Sequence, residues 1–64
     1  MIERLMTAGE VAEVLNLSRS KVYRMMRLKD IPTITIGKNV RVSFEDLQNY
    51  ILKNREHKGE QNEQ

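Results

Sequence analysis

TAGEVAEVLNLSRSKVYRMMRL, residues 7–28, holds two helix starts and one interruption between them. Thr7-Ala8-Gly9-Glu10 fits the S/T-x-x-E capping box, in which the hydroxyl and the carboxylate satisfy each other's backbone amides. A helix from there runs to about Leu15, with Ala8, Val11, Ala12 and Leu15 on one face. Gly9 weakens it, but in the first turn the cost is small. Asn16-Leu17 breaks the pattern, and Asn tolerates the left-handed backbone of a tight turn. Ser18 is suited to cap a second helix over about residues 19–28. At 100° per residue, Val22, Met25 and Met26 share one side of it and read as core. Ser20, Lys21, Arg24 and Arg27 cover the opposite side, and Arg19 and Tyr23 lie near the boundary.

Downstream, Pro32 removes a backbone donor and pushes Ile31 out of the α region, which ends the second helix by Lys29-Asp30. Residues 33–42, TITIGKNVRV, alternate apolar and polar on both sides of Gly37-Lys38-Asn39. With those three residues as the turn, Ile36 faces Val40 and Ile34 faces Val42, giving one apolar face and a polar face with Thr35 and Arg41. A lone hairpin is unstable, so the apolar face must lie on the helices. Ser43-Phe44-Glu45-Asp46 opens a third helix. Ser43 caps it, two acids suit its positive end, and Phe44, Leu47, Tyr50 and Ile51 form the inward stripe until about Arg55. Upstream, residues 1–6 are a short lead in which Leu5 and Met6 add core contacts. Residues 56–64, EHKGEQNEQ, are polar and aperiodic and read as a disordered tail. The expected organisation is one domain over residues 1–55 and a tail over 56–64, in a mainly α fold with a small β-hairpin.

The chain has 64 residues, no cysteine and one histidine, His57. A disulfide framework and a cysteine zinc site are excluded, His57 in the polar tail reads as inert, and a single compact core must carry the fold. No apolar run approaches the length of a membrane span, and the first ten residues lack a signal peptide's apolar stretch, so a cytoplasmic protein is expected. The net charge is only +2, but residues 19–41 carry seven basic residues against the single acid Asp30. The remainder carries four bases and eight acids. One positive face suits a polyanion; a merely solvated charged surface is the competing reading.

Helix, three-residue turn, helix, hairpin, helix is the order of a winged helix-turn-helix. An α-helix about 10–12 Å across fits a major groove about 12 Å wide. Arg19, Ser20, Lys21 and Arg24 occupy the first two turns of the second helix and are the leading candidates to reach base edges, Arg24 foremost. Arg27 continues the basic surface, and Tyr23 either bonds to phosphate or packs at the core edge. Lys38, Asn39 and Arg41 would bring a wing to a phosphate or a narrow minor groove, Gly37 letting the backbone turn. Each feature taken singly also has a plainer role, as solubilising charge or a hairpin turn; their conjunction carries the reading.

The segments Leu5-Met6-Thr7-Ala8-Gly9-Glu10-Val11-Ala12, Leu17-Ser18-Arg19-Ser20-Lys21-Val22-Tyr23-Arg24, Ile31-Pro32, Ile36-Gly37-Lys38-Asn39-Val40-Arg41-Val42 and Phe44-Glu45-Asp46-Leu47 together resemble the excisionase-type helix-turn-helix domains, relatives of the MerR winged-helix group. The resemblance implies a recognition helix at 19–28, a wing at 33–42, and DNA contact by Ser20, Lys21, Arg24, Lys38 and Arg41. Family members act as excisionases, which bend DNA and set recombination direction, or as small transcription regulators. Two positions depart from the pattern. Lys29 stands where the family commonly has Gly after the recognition helix, and Asn39 replaces one of two basic wing-tip residues. The MerR effector region and dimerisation helix have no counterpart, so no metal or drug sensing is expected.

The expectation is therefore double-stranded DNA binding without catalytic residues, metal or cofactor, and nucleoid association in the cytoplasm. The free protein should be a monomer that loads DNA in several copies, with a recombinase or integrase as a possible further partner and no membrane. The alternative is a protein-interaction adaptor of a phage or mobile element that keeps the fold but docks a recombinase or repressor. An enzyme is disfavoured, because nothing suggests that Ser, His and Asp converge.

Overall fold

The computed structural model describes residues 2–55; the expected tail, His57 within it, lies outside the described residues. The chain runs β1 (Leu5–Met6), α1 (Ala8–Leu15), α2 (Arg19–Arg27), β2 (Ile34–Ile36), β3 (Asn39–Ser43) and α3 (Phe44–Asn54). This is a winged helix-turn-helix, with a small antiparallel sheet against α1 and α3, and α2 packed on α1.

Hydroxyl caps start every helix. Thr7 and Glu10 close the capping box, Thr7 Oγ1 accepting from the Glu10 amide at 3.1 Å and Glu10 Oε1 from the Thr7 amide at 2.9 Å. Ser18 Oγ accepts from the Lys21 amide at 3.1 Å, and Ser43 Oγ from the Asp46 amide at 3.0 Å. The first two helices also end alike. Asn16 sits in the left-handed region at φ 59, Lys29 at φ 62. After each, a paired set of bonds closes the helix: Leu17 to Ala12 and Asn16 to Glu13, then Asp30 to Met25 and Lys29 to Met26. This is the Schellman pattern, which satisfies carbonyls that a helix end otherwise strands.

The core is built from the faces that the periodicity marks. Ala8, Val11 and Ala12 of α1, Val22 and Met26 of α2, and Leu47 of α3 join Met6, Ile31 and Val42, with Leu15, Leu17, Tyr50 and Ile51 packed around them. Ile31 is fully buried, in the bend that precedes Pro32. Met25 is buried as well, but outside this contiguous cluster.

Three expectations need correction. The lead contains a strand: Leu5 pairs with Ser43 and Met6 with Val42, so β3 is central in the order β1-β3-β2. A two-residue strand is too short to show alternation. The wing register also differs. Ile36 pairs with Asn39, Thr35 with Val40 and Ile34 with Arg41, so the turn is the two residues Gly37-Lys38. Gly37 at φ 63 followed by a residue without positive φ fits a II′ turn, whose twist matches the strands. A one-residue slip exchanges faces. Arg41 therefore shares a face with Ile34, not Thr35, and Val40 shares one with Thr35. The chain tolerates this because only the base of the wing enters the core: Val42 is buried, while Ile36 is 55% exposed. Finally, Phe44 is 45% exposed instead of inward. It has the right helical angle but sits in the first turn of α3, at the margin of the sheet, where wheel position does not guarantee cover.

Candidate nucleic-acid interface

Burial of Val22, Met25 and Met26 fixes the rotation of α2 and turns its charged residues outward. Arg19, Ser20, Lys21, Tyr23, Arg24 and Arg27 are all exposed. They divide between two flanks. Arg19, Tyr23 and Arg27 line an open groove shared with the first turn of α1 and with the wing, which contributes Thr33, Thr35, Lys38, Asn39, Val40 and Arg41. Lys29 completes it, its ammonium donating to Thr33 Oγ1 at 2.9 Å. Ser20, Lys21 and Arg24 instead line a second concavity with Met25, Leu28 and Asp30.

The electrostatics follow from this division. The wing-side groove is lined by five cations, Arg19, Arg27, Lys29, Lys38 and Arg41, and by no carboxylate. The single acid of the basic segment, Asp30, lies on the other flank beside Lys21 and Arg24. The positive potential is thus least compensated between α2 and the wing. Arg41 is half-buried, with Nη1 donating to the Val40 carbonyl at 3.0 Å. Lys38 and Asn39 are exposed at the wing tip.

All nine sequence-predicted site residues lie on α2 or the wing, and six of them meet in one groove. Arg24, the foremost candidate, is on the other flank with Ser20 and Lys21. Sequence reasoning missed Lys29, Thr33 and Thr35 as parts of the groove. Lys29 was legible only as an oddity at a helix end, and the two threonines depend on the wing register. It also missed Gly9, whose Cα lies under the Arg19 guanidinium.

The architecture and the cationic trough define a DNA-binding domain of the winged helix-turn-helix class. A family model described as a helix-turn-helix domain matches residues 5–55, from β1 to the end of α3. The chain belongs to this excisionase-type helix-turn-helix family. No curated protein and no solved structure matches the chain significantly. Among the described residues, no helix is long and apolar enough to cross a membrane.

Proposed function

We propose that the protein reads duplex DNA sequence non-enzymatically, with α2 in the major groove and the β2–β3 wing on the backbone or in the adjacent minor groove, as an excisionase that directs recombination or as a small transcription regulator. The observation that carries the reading is the shared trough: α2 and the wing contribute to one concave surface that holds five cations and no acid. Two separate elements presenting uncompensated charge to one space suit the repeating anions of a double helix better than they suit a single small ligand. The roles divide by position. Ser20, Lys21 and Arg24, on the flank of α2 away from the wing, reach base edges, Arg bidentate to guanine. Arg19, on the wing side, joins Tyr23, Arg27, Lys38, Asn39 and Arg41 in holding phosphates and setting the register.

The test is selection from random duplexes followed by two variants. Arg24→Ala should cost about 1–3 kcal/mol at one base position and relax preference there. Lys38→Ala should weaken binding evenly across sequences and lower the salt slope by about 1. If both variants bind the selected library as the parent does, α2 is not the reading helix.

A second reading, an adaptor that docks a recombinase or repressor, is favoured by Phe44 and Leu52, large apolar residues that α3 leaves 45% and 58% exposed. Weak duplex binding that is flat in salt would select it.

A further inference from the structure

Gly9 is a poor choice for its position by helix chemistry alone. It lies in the first turn of α1, and its backbone is not in the left-handed region, so conformational freedom does not call for glycine. Its neighbour supplies a different reason. A Cβ placed on Gly9 would meet Cζ and Nη2 of Arg19 at 3.2 Å and Nε at 3.3 Å. All three nearest atoms belong to one guanidinium, so an added Cβ would press on its face more tightly than ordinary van der Waals contact, and the guanidinium would have to give.

Arg19 is otherwise loosely tied. It is an exposed residue at the first position of α2, a turn that itself carries no acid, although Glu10 and Glu13 of α1 share a concavity with it. Among the described residues no hydrogen bond holds its guanidinium. A cation at a helix amino end also opposes the dipole, so folding alone gives no reason to fix it there. Its side chain lies where the trough between α2 and the wing meets that α1-side concavity, and lines both.

We infer that Gly9 is a positioning residue for DNA contact: the side chain missing from the first turn of α1 is the seat of the Arg19 guanidinium and holds it on the wing side of α2. The inference rests on the DNA reading proposed above. It predicts that filling the seat improves the helix and harms the interface, since alanine and leucine are better helix formers than glycine.

The test is a double-mutant cycle of Gly9→Leu and Arg19→Ala, with Gly9→Ala as the milder step, read by duplex binding against salt and by thermal unfolding. Gly9→Leu should weaken binding about three- to tenfold and lower the salt slope by about 1, the signature of one lost phosphate contact. In the Arg19→Ala background it should cost nothing further. Gly9→Ala should cost less, because the guanidinium needs to move only slightly, and neither variant should melt below the parent. The Arg19 Nε–H resonance of the free protein should pass from restrained to averaged in Gly9→Leu. Equal losses in both backgrounds, or no loss in either, would overturn the inference while leaving the DNA reading intact. Should Gly9→Leu fail to fold, the same cycle with Gly9→Ala decides. A parent that binds no duplex at any salt would end the DNA reading instead; Arg19 Nε–H dynamics unchanged by Gly9→Leu would then overturn the seat as well.

Discussion

Lys29 shows how a single residue couples stability to the interface. At φ 62 it closes the α2 end in a conformation that costs a non-glycine residue on the order of 1 kcal/mol. Its ammonium, however, reaches Thr33 and lines the trough. Lys29→Gly should therefore raise the melting temperature by a few degrees, the equivalent of about 0.5–1 kcal/mol in a domain this small, and lower duplex affinity. Calorimetry and a salt titration on the same samples check both halves. A variant that is more stable and binds DNA as tightly as the parent would show that the lysine has no part in the contact. Residue-scale features of this kind were unevenly legible. Asn16 announced its left-handed turn, because Asn is common there. The left-handed Lys29 was foreseeable only through the glycine that the family resemblance implies at that position. Gly9 looked like a tolerated defect, because the atom that explains it comes from ten residues further along.

At the scale of elements, the helices were readable because their caps and stripes are local. Thr7, Ser18 and Ser43 each sit at the expected N-cap and accept from the amide three residues on. The wing was readable as a hairpin but not in register, since turn length competes with alternation and burial enforces only Val42. The β1 strand and the exposure of Phe44 depend on what lies beside them, which no local pattern contains. The start of α3 gives a prediction with a definite sign. The Glu3 carboxyl is held above its ordinary value of 4.5, first by a hydrogen bond with Glu45, then by slight desolvation and by repulsion from Glu45 and Asp46, while Ser43 pulls the other way. An acid raised in the folded state contributes stability that is present below its unfolded pKa and is lost as pH rises through the folded value. Glu3→Gln keeps a donor at every pH. The variant should thus match the parent in mildly acidic buffer and melt higher at neutral pH, by a small margin because the group is exposed. Thermal scans at the two pH values test this; a difference that is the same at both would remove the titration from the account.

For the molecule as a whole, one α2 and one wing limit how much DNA a single copy can cover. A module of this size buries on the order of 600–1,000 Å² on DNA, which supports contact with few base pairs. Its exposed large apolar residues, Ile2, Val14, Tyr23, Leu28, Ile36, Val40, Phe44 and Leu52, are spread over the lead, all three helices and the wing, whereas a permanent dimer buries a large apolar interface. We therefore expect a free monomer of 7.5 kDa that occupies a target in several copies. Light scattering of the free protein should give that mass at micromolar concentration, and titration into duplexes of increasing length should give a stoichiometry that rises in steps. If all five trough cations meet phosphates, the logarithm of the binding constant should fall with the logarithm of salt at a slope of about −4 to −5 per bound copy. A free species of twice the mass would overturn the monomer. A slope near zero on every duplex would be more serious, because the uncompensated charge between α2 and the wing is the one feature that a buried core and three capped helices do not otherwise require.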